Sequence, residues 1–132
     1  MPTAISREMF SIAVDGTRAE IKVWRRPDLD SATGTKNALE LAAEGAKLPG
    51  RGVGEIVLDM REAPAVAGPV TATAFAAMFA AWGSTRVRIA VLISEDPLTT
   101  LQFRRLVTDN APKNACVTTD ASEPAKWFAT LP

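Results

Sequence analysis

Residues 54–93 decide the fold class; they read GEIVLDMREAPAVAGPVTATAFAAMFAAWGSTRVRIAVLI. Two apolar runs, Ile56–Leu58 and Ile89–Ile93, stand on either side of a segment whose large apolar residues recur at helical spacing. Continuous apolar runs are typical of strands that are covered on both faces. A strand, a helix and a second strand in this order predict two parallel strands joined by a right-handed crossover.

The helix between these strands is predicted over Pro69–Trp82, and Gly83 ends it. No charged side chain occurs from Ala63 to Thr85, although 23% of the chain is charged. A helix without a polar face is either enclosed by the fold or presents a contact surface. Its core-facing stripe, at the spacing i, i+3, i+4 and i+7, is predicted to be Phe75, Met78, Phe79 and Trp82.

The same uncharged segment does not predict a membrane span. Pro64, Gly68 and Pro69 interrupt its first third, and the helix that follows is shorter than the roughly 20 residues that a span needs. Alanine and threonine, which are only weakly apolar, make up most of it. We therefore expect no transmembrane segment.

The N-terminal part of the chain is predicted to contain a β-hairpin and a helix. Phe10–Val14 and Thr17–Trp24 alternate apolar with polar or small residues, and Asp15-Gly16 between them favours a tight turn. A helix follows, which Asp30 or Ser31 can cap, and Pro49-Gly50 stops it. Its buried stripe is predicted to be Ala38, Leu41, Ala42, Gly45 and Leu48.

The C-terminal part is predicted to contain two helices and a strand. Asp96 is a good cap for the first of these helices, and Pro97 suits its first position, where the missing N–H costs nothing. A short strand over Ala115–Thr119 follows, and Asp120–Glu123 resembles a capping box. The apolar contacts of the two helices are predicted at Leu98, Leu101, Phe103, Leu106, Val107, Trp127, Phe128 and Leu131.

The element order β-β-α-β-α-β-α-β-α predicts one α/β domain over residues 1–132, with its core in residues 10–131. We expect a mostly parallel central sheet of about five strands with about four helices. The opening hairpin should add an antiparallel N-terminal strand at one edge. A chain of 132 residues buries enough surface to fold without disulfides or metals.

The composition excludes several functional classes. Lys plus Arg and Asp plus Glu both number 15, which gives no electrostatic footprint for nucleic acid. Histidine, the commonest general base and metal ligand, is absent.

The one cysteine, Cys116, fits a reducing, cytoplasmic location and is interpreted as a buried structural thiol. The glycines of Gly50–Gly54 follow a helix and precede a strand, so they indicate a turn and no phosphate loop. We expect no cofactor and no metal.

The element order and several segments resemble the STAS fold of bacterial anti-sigma-factor antagonists. Phe10–Val14 with Ala19–Val23 resembles its opening strand pair, and Gly54–Asp59 resembles its central strand. Arg88–Ile93 followed by Asp96-Pro97, and Ala125–Phe128, is similar to the SpoIIAA-like branch, which is linked to the CRAL-TRIO lipid-carrier fold. Through the antagonists, the resemblance implies a role in a regulatory protein interaction. Through the lipid carriers, it implies that the protein binds an apolar ligand.

One departure from that family concerns its phosphorylated serine. The antagonists carry an Asp-Ser pair just before the second helix, whereas Ala63–Pro69 contains no serine and no acidic residue. Thr71 and Thr73 are the nearest hydroxyls, and we interpret both as small packing residues within the helix. The phosphorylation switch therefore does not carry over to this chain.

Polar residues at two strand ends form a second candidate site. In open parallel sheets the carboxyl ends of the strands are where ligands bind, so the two groups could be neighbours there. Carboxylates in such a cluster could bind a cation or act as acid and base, although Asp96 already serves as a cap and Arg61 can pair with an acid. The cluster comprises Asp59, Arg61, Glu62, Ser94, Glu95 and Asp96.

We expect a non-catalytic interaction or regulatory module, with a symmetric homodimer as its simplest form. A carrier for an apolar ligand is the alternative, with a cleft lined by Val66, Val70, Phe75, Met78 and Phe79. An enzyme that uses the strand-end carboxylates ranks third. The predicted contact residues are Pro64, Val66, Gly68, Pro69, Val70, Thr71, Thr73, Ala74, Ala77, Met78 and Ala81.

Overall fold

A six-stranded sheet with four α-helices forms the fold in the computed structural model, which describes residues 3–63, 69–111 and 113–129. The strands follow one another in the sheet in the order of the chain. The elements are β1 (Thr3–Ser6), β2 (Phe10–Asp15), β3 (Arg18–Trp24), α1 (Ser31–Ala46), a 3₁₀ turn (Pro49–Arg51), β4 (Glu55–Glu62), α2 (Pro69–Gly83), β5 (Arg88–Leu92), α3 (Pro97–Asn110), β6 (Ala115–Thr118) and α4 (Glu123–Ala129).

The predicted α/β class, with its mostly parallel sheet and antiparallel start, is confirmed. β1, β2 and β3 are antiparallel neighbours, whereas β3, β4, β5 and β6 run parallel. Helices α1, α2 and α3 connect these parallel strands in turn and pack side by side, because successive crossovers of one hand stay on one face. Helix α4 packs on the other face, where Phe128 contacts Val57, Ala90 and Leu92.

The sheet extends one strand further than the sequence predicted. β1 pairs with β2, with Ile5 opposite Ile12 on the face that carries the helices. The strand at the antiparallel edge is therefore β1, and the hairpin of β2 and β3 lies one position inward. Gly16 makes the hairpin turn as predicted, with a positive φ of 63°.

Side-chain caps begin two of the helices at the predicted residues. The Asp30 carboxylate accepts a hydrogen bond from the Thr33 amide at 2.8 Å, and the Asp96 carboxylate accepts one from the Thr99 amide at 3.0 Å. Pro97 occupies the first turn of α3. These caps satisfy amide groups that have no partner within the helix.

Helix α2 is fixed to both neighbouring helices at its C-terminal end. The Trp82 indole donates a hydrogen bond to the Gly45 carbonyl of α1 at 2.8 Å. On the other side, a Cβ at Gly83 would overlap the carbonyl oxygen of Asn110, so the backbones of α2 and α3 meet here. The Asn114 amide donates to the Trp82 carbonyl at 2.9 Å and thereby anchors the same end to the start of β6.

The core stripe of α2 is buried as predicted. Phe79 and Trp82 are inaccessible to solvent and meet edge to face, with their ring centroids 5.1 Å apart. In the described part of the chain, no helix is both long and apolar enough to span a membrane.

Candidate functional site

The outward side of α2 carries only uncharged and mostly small side chains. Besides Pro69 and Gly83 at its two ends, the solvent-exposed residues of α2 and Ser84 just after it lie on one face of the helix, separated alternately by three and four positions. Val70 is the largest of them and is 55% exposed. We call this set the α2 seam; it consists of Val70, Thr73, Ala77, Ala80 and Ser84.

The predicted contact residues divide into three groups in the structure. Pro69, Val70, Thr73 and Ala77 are exposed. Thr71, Ala74 and Ala81 are half-buried, whereas Met78 lies in the core and cannot be part of a surface. The remaining predicted residues, Pro64, Val66 and Gly68, lie outside the described residues.

Helix α3 contributes two exposed leucines next to the α2 seam. Leu98 and Leu101 are 60% and 56% exposed, so the prediction that they make core contacts is wrong. Phe103 and Val107, which belong to the same predicted set, are buried as expected. The physical reason is helical spacing: Leu98 and Phe103 are five residues apart, which places them about 140° apart around the helix.

A groove of about 560 Å³ runs between α2 and α3. Small residues of α2 form one wall, and the other wall carries both exposed leucines. Gln102 adds a buried side-chain oxygen, Oε1, that accepts no hydrogen bond from the described residues. The lining residues are Ala72, Thr73, Ala76, Leu98, Leu101, Gln102, Arg105, Leu106, Asp109 and Asn110.

On its opposite side, α2 borders a separate cavity of about 230 Å³ that is shared with α1. It differs from the predicted cleft. Phe75 lines it as expected, but Val70 is exposed on the other side of α2, and Met78 and Phe79 are not among its walls. The lining residues are Met9, Phe10, Val23, Ser31, Gly34, Thr35, Asn37, Ala38, Leu41, Met60, Ala63, Thr71 and Phe75.

The strand-end polar residues are engaged with local partners. Asp59 and Arg61 form a two-bond ion pair, with Nε to Oδ1 at 3.0 Å and Nη2 to Oδ2 at 2.8 Å. Glu62 lies 3.9 Å from the ammonium of Lys22. These contacts are ordinary surface ion pairs, of which the Asp59–Arg61 pair is the better formed.

The second half of the strand-end cluster is not joined to the first. The Asp96 carboxylate accepts hydrogen bonds from the amide and the hydroxyl of Thr99, so it acts as the cap of α3. Within the described residues, no hydrogen bond or ion pair links Ser94, Glu95 or Asp96 to the β4 group. The described ranges also contain no group of three acidic or cysteine side chains placed to hold a metal.

The surroundings of Asp59 and Cys116 shift the pKa of each group. Hydrogen bonds from Arg61 lower the pKa of the Asp59 carboxyl below its usual range. Burial, with a smaller contribution from the charge of Glu123, raises the pKa of the Cys116 thiol to about 11. A thiol with this pKa is almost entirely protonated near neutral pH, which makes it a poor nucleophile.

Sequence reasoning missed Ala80 of the seam, the two leucines of α3 and most of the cavity wall. The leucines had a usable signal, because Leu98 and Leu101 follow an i, i+3 spacing while Phe103 and Val107 follow a separate i, i+4 spacing. The cavity had no such signal, since its walls come from segments that are far apart in the chain.

Comparison of the chain with protein-family models, with curated proteins and with solved structures found no match. The resemblance to the STAS family therefore stays a prediction. The functional argument rests on the residues of this chain and on their placement.

Proposed function

We propose that the protein is a non-catalytic interaction module that binds another protein through the α2 seam and the adjoining groove. The observation that supports this most directly is the seam itself. Soluble proteins usually place charged side chains on exposed helix faces, and an α-helix of 15 residues without one charge departs from that practice.

The shape of the face suits helix packing. Alanine and threonine side chains are short, so the backbone of a partner helix could approach closely along the seam. Val70, Leu98 and Leu101 would then supply apolar area, at about 1.5–3 kcal/mol for each side chain that becomes fully buried.

A second copy of this chain is the simplest partner. A seam of small residues can face its own copy about a two-fold axis, which buries the same patch on both chains. The proposal includes a cytoplasmic location, as the single free thiol suggests, and no nucleic-acid partner, since positive and negative charges balance. The regulatory role implied by the STAS resemblance belongs to the same proposal, without its serine switch.

Sedimentation velocity of the wild type and of Ala77→Glu tests the proposal. Ala77 is exposed in the middle of the seam, and glutamate is a good helix former, so the variant should fold. We expect the wild type to sediment at twice the mass of one chain. In a two-fold dimer the substitution brings two like charges into the contact, which should weaken association by at least about a hundredfold.

Ala43→Glu is the matched control, because Ala43 is an exposed alanine of α1 away from the seam. It should leave the dimer intact. A wild type that remains monomeric at high concentration would contradict self-association. Cross-linking in host extract, compared between the wild type and Ala77→Glu, would then show whether a different protein occupies the seam.

A further inference from the structure

The cavity between α1 and α2 lies where the fold favours a ligand site. Val23 and Met60, near the ends of β3 and β4, contribute to its wall, so it sits at the carboxyl ends of two parallel strands. The cavity is partly open to solvent and has a volume of about 230 Å³.

None of the described residues that line the cavity has a charged side chain. The residues that line it divide into a buried floor and a more accessible rim, which includes Met9, Gly34 and Thr71. An ion inside would lose its hydration without gaining a partner, so the chemistry of the walls selects an uncharged molecule. The buried floor consists of Phe10, Val23, Asn37, Leu41, Met60 and Phe75.

The polar groups of the cavity have distinct roles. Asn37 is structural, since its Oδ1 accepts from the Met9 amide at 3.1 Å and its Nδ2 donates to the Thr33 carbonyl at 3.0 Å. Ser31, Thr35 and Thr71 also line the cavity, and their hydroxyls form no hydrogen bond with another described residue. They could give a ligand one directional contact at the rim.

Gly34 keeps the space open. It lies within α1, where glycine is less favourable than alanine. A Cβ at this position would have only the Met9 sulfur within reach, at 3.8 Å, so no close contact demands a glycine here. Met9 and Met60 add flexible, polarisable side chains that can adjust to a guest.

From these observations we propose that the cavity binds a small, uncharged and mainly apolar molecule of about one or two fused rings. The size follows from the volume. A dry apolar cavity of about 150 Å³ accepts benzene, whereas sites for drug-sized ligands begin at about 300 Å³. This binding activity is independent of the α2 seam, which lies on the other side of the same helix.

Indole serves as the probe, because it is uncharged and has two fused rings. The readout is the NMR signal of ¹³C-labelled methionine methyl groups in the full chain. Met9 and Met60 line the cavity, while Met78 lies in the core and does not. We expect saturable shifts at Met9 and Met60, with a dissociation constant of about 1 mM or lower, and little change at Met78.

Two substitutions fill the cavity from opposite walls. Gly34→Leu acts from α1 and Thr71→Leu from α2, and each should weaken indole binding by at least about tenfold. Ala43→Leu adds the same side chain at an exposed position of α1 and should leave binding unchanged. The proposal is overturned if indole shifts neither cavity methionine, or if both filling variants bind it as tightly as the wild type does.

Discussion

The two ends of α2 are built differently. At its C-terminal end, Trp82 is bonded to Gly45 of α1, and Gly83 lies against Asn110 of α3. At its N-terminal end, within the described residues, no side-chain hydrogen bond ties residues 69–76 to either neighbouring helix. The same helix is locked at one end and borders open space at the other.

The two ends of α2 therefore have different roles. One end contributes to the stability of the fold, and the other borders space in which other molecules can bind. At the C-terminal end of α2, the Trp82 side chain and the backbone at Gly83 are packed directly against the neighbouring helices. Where the helices stand apart, the cavity opens towards α1 and the groove opens towards α3. We therefore expect substitutions of the packed residues Trp82 and Gly83 to change the free energy of unfolding, and substitutions of exposed residues near the N-terminal end to change contacts with other molecules.

Trp82→Ala should have the largest effect on stability. It removes a fully buried indole, its hydrogen bond to Gly45 and its edge-to-face contact with Phe79. We expect a loss of about 3–5 kcal/mol in the free energy of unfolding, the usual range for a large aromatic residue in a core. Urea unfolding followed by circular dichroism measures it.

Val70→Ala is the comparison at the other end of the helix. Val70 is more than half exposed, so the free energy of unfolding should change by less than about 0.5 kcal/mol. Equal losses in the two variants would mean that the ends of α2 contribute alike to stability, and the distinction between them would fail.

Two glycine-to-alanine changes test the same contrast on a smaller scale. At Gly83 the new Cβ meets the backbone of Asn110, which cannot rotate away, so we expect a loss of about 1–3 kcal/mol. At Gly34 the new Cβ would meet only the Met9 sulfur, at an ordinary contact distance of 3.8 Å, and alanine favours the helix, so a gain of about 0.5–1 kcal/mol is expected. Thermal unfolding of both variants gives the two signs.

Gly50→Ala controls for the general effect of removing a glycine. No atom outside its immediate neighbours lies within 4 Å of a Cβ at this position, and its φ is not positive. It should therefore behave like Gly34→Ala and unlike Gly83→Ala. If Gly83→Ala is as stable as the wild type, the backbones of α2 and α3 are free to move apart.

The core stripe of α2 was predictable from the sequence, because its signals are local, whereas the contacts of its C-terminal end with Gly45 and Asn110 were not predicted. Phe75, Met78, Phe79 and Trp82 recur at helical spacing, so their burial follows from periodicity alone. The start of α3 at Asp96-Pro97 and the turn at Asp15-Gly16 depend equally on a few adjacent residues.

The open end could not be predicted in the same way, because it depends on contacts between distant segments. Met9, Gly34, Met60 and Thr71 meet only once the sheet and two helices have assembled, and no sequence spacing relates them. Strand β1 was missed for a similar reason. Its four residues are ordered by pairing with β2, a tertiary contact that outweighs weak local preferences.

At the end of β4, a residue that lines the cavity and a residue that forms an ion pair lie on opposite faces of the sheet. Met60 faces the cavity, whereas Asp59 points to the opposite face and pairs with Arg61. Because the folded protein lowers the pKa of Asp59, this carboxylate adds stability above its unfolded pKa of about 3.9. That contribution disappears as the pH falls through the lower pKa of the folded state.

Arg61→Gln should have the smallest effect of these changes. The pair is partly exposed, so we expect a loss of less than about 1 kcal/mol at neutral pH. The difference from the wild type should vanish in acid, where Asp59 is protonated in both proteins, and urea unfolding at several pH values tests this. Arg104→Gln, at an exposed arginine of α3, should show no such pH dependence. If Arg61→Gln also abolished indole binding, the two faces of β4 would be coupled, and the separation between structural pair and binding cavity would be wrong.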